Sequence, residues 1–170
     1  MNRTYTREWY DAKINRIREV IPNCAISTDI ITGFCSETDE EHQDTVSLMK
    51  QVRYELAYMF FYSERPGTLA QKKFEDDVSE DVKKSRLKEI IDVQTKINKE
   101  LNEEEIGEIY EVLAEGISKR DENDFRGRNS QNKVIIFPRE NFKIVDYIKV
   151  KVEKSTSATL IGKAVGIVNY

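Results

Sequence analysis

Two short stretches carry the residue types that could do chemistry. Residues 27–38 read Ser-Thr-Asp-Ile-Ile-Thr-Gly-Phe-Cys-Ser-Glu-Thr, and residues 62–68 read Tyr-Ser-Glu-Arg-Pro-Gly-Thr. Each lies at the end of an apolar, strand-like run, and ligands bind beyond the carboxyl ends of strands in parallel sheets. In the first stretch Asp29, Gly33 and Glu37 put two carboxylates and a turn-permitting glycine on a strand and its exit. They can line a ligand, or Asp29 can satisfy local backbone groups while Gly33 permits a turn. In the second, Arg65 can grip a phosphate or carboxylate bidentately from a loop shaped by Pro66-Gly67, or pair with Glu64 or a neighbouring helix.

A third group lies further on. Lys119, Arg120, Arg126, Arg128, Lys133, Lys149 and Lys151 are cations that can replace phosphate counterions, and Phe125 and Phe137 flank several of them. Arg126, Arg128 and Lys133 bracket one turn and read as RNA contacts. Lys149 and Lys151 read as an ordinary solvated strand face. Among the 170 residues, residues 105–170 hold 11 Lys+Arg against 10 Asp+Glu and are the one segment that is not net acidic in a chain of net charge −4. Charge alone is therefore a weak nucleic-acid signal.

Other chemistries find little support. Cys24 and Cys35 cannot make a disulfide framework, and two thiols fall short of the ligand set of an iron–sulfur cluster or structural zinc. They read as a strand residue and a loop residue. The sole histidine, His42, falls among acidic residues and reads as a solvated surface side chain. No run approaches the ~20 apolar residues of a membrane span, and the first residues lack a signal-peptide core, so a cytoplasmic, membrane-free protein is expected.

The elements that must position these residues follow from periodicity. Thr6 is a plausible N-cap for a helix with Trp9, Ile14, Ile17, Val20 and Ile21 at helical spacing, ended by Pro22-Asn23. Residues 24–31 are short, β-branched and apolar, and predict a buried parallel strand ending at Gly33. Thr38 or Asp39 caps a second helix with Val46, Leu48, Met49 and Val52 inward. Residues 56–62 predict a second buried strand, with Tyr58, Phe60 and Phe61 in a core. Two strands cannot cover a parallel sheet on both faces, so missing chain upstream, or another subunit, is expected to complete it. From Ser79 a long helix carries Val82, Leu87, Ile90, Ile91, Gln94, Ile97 and Leu101 along one side, and reads as a solvated linker packed on a neighbour. Five short strands follow Gly107, including the strictly alternating Tyr147–Glu153, and suggest a small closed or partly closed OB-like barrel.

These motifs, in this order, resemble the C-terminal portion of a MiaB-type tRNA methylthiotransferase, a radical S-adenosylmethionine enzyme. The family pattern Ser-Thr-Asp-Ile-Ile-x-Gly-Phe-x-x-Glu-Thr stands at 27–38 and Tyr-Ser-x-Arg-x-Gly-Thr at 62–68. Residues 105–170 resemble a TRAM domain, with Gly127-Arg128 and Asn132-Lys133-x-x-x-Phe137 in the family positions. The resemblance implies the last β/α units of a TIM-like radical-SAM barrel at 1–68, a linker helix at 69–104 and an all-β TRAM barrel at 105–170. It implies that Asp29, Ile31, Gly33 and Glu37 line S-adenosylmethionine, with Ile31-Thr32-Gly33 on its adenine side. It also implies that Arg65, Lys119, Arg120, Arg126, Arg128, Asn132, Lys133 and Phe137 face tRNA at the anticodon stem-loop.

The implied reaction puts a methylthio group on C2 of an N6-isopentenylated adenosine, with two [4Fe–4S] clusters and S-adenosylmethionine. This chain has no Cys-x-x-x-Cys-x-x-Cys, so no cluster ligand and no catalytic residue is assigned to it, and it is expected to be inactive without the N-terminal portion of the enzyme. Cys35 and Ser36 replace the Pro and Gly of many members, which puts the loop's permitted positive φ in question. Three other readings remain open: a stand-alone RNA-binding module, a protein–protein adaptor, and the sister enzyme that methylthiolates a ribosomal-protein aspartate.

Overall fold

A computed structural model describes residues 4–168 and divides the chain into two compact units, Met1–Ile97 and Asn98–Tyr170. In the first, helix α1 (Arg7–Val20) starts at Thr6, whose hydroxyl accepts from the Trp9 N–H. Strand β1 (Ser27–Thr32), helix α2 (Asp39–Val52) and strand β2 (Leu56–Phe61) follow, and β1 and β2 pair in parallel with Ser27 opposite Leu56 and Thr32 opposite Phe61. Thr38 caps α2 with a reciprocal pair: its hydroxyl accepts from the Glu41 N–H, and the Glu41 carboxylate accepts from the Thr38 N–H. A short helix α3 (Leu69–Lys73) precedes the long helix α4 (Glu80–Glu104).

The strands differ from the doubly buried pair expected. Side chains alternate across the sheet, and one face (Ile30, Thr32, Ala57) is buried. The other carries Asp29 and Ile31 beside their register partners Tyr58 and Phe60, and both rings are 55% exposed. Tyr58 and Phe60 are therefore not core residues here, because nothing in a two-stranded sheet covers that face. On α1, Ile14 is buried while Trp9, Val20 and Ile21 are exposed.

Helix α4 also departs from expectation. Its buried side in this unit holds Lys83, Arg86, Ile90, Gln94 and Ile97, whereas Val82 and Ile91 are exposed. The spacing is helical, but three of these five residues are polar. Gln94 donates its amide to the Tyr54 carbonyl at 2.7 Å, which is how that polar group is tolerated inside.

In the second unit, strands β3 (Ile109–Ile117), β4 (Asp124–Arg128), β5 (Val134–Pro138), β6 (Tyr147–Ser155) and β7 (Leu160–Ile167) close a barrel in the order β3-β4-β5-β7-β6. The closed OB-like barrel expected from the strand pattern is present. β3 runs through Gly116, where the register slips, rather than stopping there. The core is Val112, Ala114, Phe125, Ile135, Phe137, Ile148, Val150, Val152 and Leu160, with Phe125 and Phe137 edge to face at 6.2 Å. A Cβ on Gly162 would lie 2.2 Å from the Lys151 carbonyl oxygen, so the close approach of β7 to β6 requires glycine.

Candidate functional site

The turn leaving β1 is built from the carboxylate of Glu37. One oxygen accepts from the Gly33 N–H at 2.9 Å; the other accepts from the Arg86 guanidinium at 3.0 Å. Arg86 also donates to the Glu37 carbonyl and, at 2.7 Å, to Asp39. Gly33 has φ +66°, and a Cβ there would sit 2.4 Å from Lys83 Cγ, so glycine is needed both for the turn and for the passage of the lysine. Lys83 then reaches Asp76, with its ammonium 5.3 Å from the centre of the Tyr62 ring.

Ser36, which stands where many family members have glycine, does adopt a positive φ of 65°. The strain is held by Asp77: its carboxylate accepts from the Ser36 N–H at 2.7 Å and from the Ser36 hydroxyl at 3.2 Å. The N–H donated by Ser36 holds the Asp77 carboxyl below its ordinary range. Beside this turn, Cys35 is buried and free, and burial, with the Cys35 thiol next, pushes the Tyr62 hydroxyl up.

His42 is the clearest correction. It is 3% exposed, not solvated, and its Nε2 lies 2.9 Å from the Glu89 carboxylate. Helix α4 covers it, and that tertiary contact outweighs the acidic local sequence. The bond from His42, followed by one from Gln43, lowers the Glu89 carboxyl.

Of the four residues expected to line a cofactor, the structure gives two environments. Asp29 and Ile31 share the open face of the sheet with Tyr58 and Phe60, a carboxylate beside an apolar strip. Gly33 and Glu37 form the turn at its end and are bonded to each other. An iron–sulfur cluster does not fit these residues, since Cys24 and Cys35 are free thiols and no group of three or more potential metal ligands occurs among the described residues. Arg65 lies exposed in the loop after β2, where its carbonyl accepts from the Thr68 N–H and hydroxyl.

In the barrel the expected RNA group splits. Lys119, Arg120 and Arg126 are exposed. Arg128 instead donates to the Asn132 carbonyl and side-chain oxygen and pairs with Glu115 at 3.4 Å. Asn132 takes the left-handed φ of 63° that the β4–β5 turn requires. The Lys133 side chain is 12% exposed and ion-paired to Glu105, which also accepts from the Tyr110 hydroxyl. Phe137 has no exposed surface. These last four residues hold the barrel together, and the Phe137 ring is not open to a stacked base. Asn129, which the sequence did not single out, closes the same turn: its buried side-chain oxygen accepts from the Gln131 and Lys133 N–H groups.

No helix of the described residues is long and apolar enough to cross a membrane. The TRAM domain family matches residues 103–165. The chain is 52% identical over 98% of its length to a protein of Christiangramia forsetii named tRNA-2-methylthio-N(6)-dimethylallyladenosine synthase, covering 35% of it. A protein of the same name from Parabacteroides distasonis is 52% identical over 97% of this chain and 36% of its own length, and one from Flavobacterium psychrophilum is 52% identical over 98% and 34%. The chain thus spans about a third of the length of the curated relatives it matches.

Proposed function

Because this chain is homologous, over nearly its whole length, to part of the MiaB-type tRNA methylthiotransferases, we propose that it serves as the tRNA-gripping and cofactor-flanking portion of a tRNA-2-methylthio-N(6)-dimethylallyladenosine synthase. The parent reaction would place a methylthio group on C2 of an N6-isopentenyladenosine beside the anticodon. The observation that carries this reading is the half-identity to three such synthases along 97–98% of the chain, with a TRAM match inside it.

Each unit has a share in the proposal. The TRAM barrel binds the anticodon stem-loop through exposed cations, among which Lys119, Arg120 and Arg126 are available. Arg65 reaches RNA or cofactor from the loop after β2. Residues 1–68 are the closing β/α units of a radical-SAM barrel, and the open face bearing Asp29, Ile31, Tyr58 and Phe60 is covered by the rest of that enzyme. Asp29 would accept from cofactor hydroxyls, and Ile31 would pack on the base. S-adenosylmethionine, when bound, supplies the methyl group and the radical chemistry. The two clusters are held outside this chain, so the chain alone is inactive.

The test is a chimera. This chain replaces the matching third of the Flavobacterium psychrophilum enzyme in cells lacking their own synthase, and tRNA nucleosides are measured by mass spectrometry. Appearance of the 2-methylthio nucleoside is expected. A stable chimera that leaves only the isopentenylated nucleoside would overturn the reading.

A further inference from the structure

The outward face of β6 and β7 carries a group of exposed lysines. On β6, Ile148, Val150 and Val152 point into the core, so Lys149 and Lys151 point out together with Tyr147. Successive outward residues on one strand stand about 7 Å apart. On β7, Lys163 points out and lies directly opposite Lys151 in the antiparallel register. Like charges facing each other across strands are destabilising. A register slip at Val152–Lys154 leaves Lys154 exposed as well. The two strands together hold four lysines and one glutamate, within a chain of net charge −4.

The environment suits a polyanion. Lys149 faces Gly166 of β7, beside which a Cβ would meet nothing within 4 Å, and on its other side stands opposite Glu111 of β3, a carboxylate exposed like the lysine, so any pair between them exchanges readily for phosphate. Exposed Ile109, Tyr147, Val165 and Ile167 border the lysines. Lys163 pairs with Glu153 at 3.3 Å, but both are about half exposed or more, and such pairs contribute little and exchange readily for phosphate. Arg128 and Lys133, by contrast, are held by Glu115 and Glu105.

We propose that Lys149, Lys151 and Lys163 on the outer face of β6 and β7 are the principal phosphate contacts of the barrel with RNA. This inference rests on the reading that the barrel binds tRNA. Their role is sequence-independent: ammonium groups displace counterions from the backbone, while base contacts come from elsewhere. The facing pair Lys151–Lys163 is then a repulsion that bound phosphate relieves.

Equilibrium binding of unfractionated bacterial tRNA to the full chain, measured across a salt series, tests this. The triple variant K149Q/K151Q/K163Q should lose about tenfold or more in affinity and reduce the log–log salt slope by about 2–3, with a melting temperature that is not lowered, since the Lys151–Lys163 repulsion is removed. The single variant R128Q should leave the slope within experimental error. A triple variant with wild-type affinity and slope would overturn the proposal while leaving tRNA binding intact. Failure of the unaltered chain to bind tRNA would overturn the underlying reading as well. Loss of binding to phosphatidylserine vesicles without loss of tRNA binding would assign the stripe to a membrane surface and also overturn it.

Discussion

Arg86 donates to both the backbone carbonyl and the carboxylate of Glu37, 49 positions earlier in the chain. Both side chains are largely buried. The bond ties the turn that follows β1 to the long helix, so the loop expected to face the cofactor is shaped by a residue far from it in sequence. Removing one partner of such a pair leaves a desolvated charge. Arg86→Met should therefore cost the first unit about 3 kcal/mol, read by urea unfolding on the fluorescence of Trp9, the only tryptophan. A cost below about 1 kcal/mol, the range of an exposed pair, would refute the assignment.

Ser36 and Asp77 should be energetically coupled. Asp77 holds Ser36 in a left-handed conformation that glycine adopts freely. Asp77→Ala should lower the melting temperature of the first unit. The same change made on a Ser36→Gly background should lower it less, as a double-mutant cycle would show. Additive effects would show that Asp77 does not restrain the turn.

Lys133 should matter to folding rather than to RNA. Its partner Glu105 is itself mostly buried. Lys133→Met should lower barrel stability by about 3 kcal/mol, as for other pairs broken in the interior. At temperatures where the variant is folded, the salt slope of tRNA binding should match that of the unaltered chain. A slope reduced by about 1 would make Lys133 a phosphate contact after all.

Acid should weaken the first unit. Glu89 and Asp77 both have carboxyls lowered on folding, from ordinary values of 4.5 and 3.8. A lowered folded value means that the stabilisation is complete above the unfolded value and is lost as pH falls through the folded one. Stability of the first unit should therefore fall below about pH 4.5. Glu89→Gln should flatten that part of the profile. An identical acid limb in the variant would remove Glu89 from the explanation.

The barrel was the most legible part of the sequence, because Ile148, Val150 and Val152 alternate with lysines and a period of two has one structural meaning. The caps at Thr6 and Thr38 were legible for the same local reason. The buried side of α4 was not. Lys83, Arg86 and Gln94 are polar types that belong on a surface unless a partner is supplied, and those partners, Asp76, Glu37 and the Tyr54 carbonyl, lie outside the helix. His42 was misread on the same ground, since its burial comes from contacts 47 positions away. In the barrel, residue type identified cations but not their commitments: Lys133 and Lys149 look alike in sequence, yet Lys133 is largely buried against Glu105 while Lys149 is exposed.

The barrel closes through β5 and β7, which pair in parallel over only two positions, Ile135 with Leu160 and Ile136 with Ile161. Every other seam is antiparallel and longer. This contact is the shorter of two that join a meander, β3 to β5, to a hairpin, β6 and β7, the other being β3 with β6, and each half can form by local contacts first. Closure is then the late kinetic event and the short seam the first to breathe. Amides at Leu160 and Ile161 should exchange with solvent deuterium ahead of those at Ile148 and Val150, although all four lie in regular strands. If they do, the seam of two rungs opens while the five-position seam between β3 and β6 still holds the halves together.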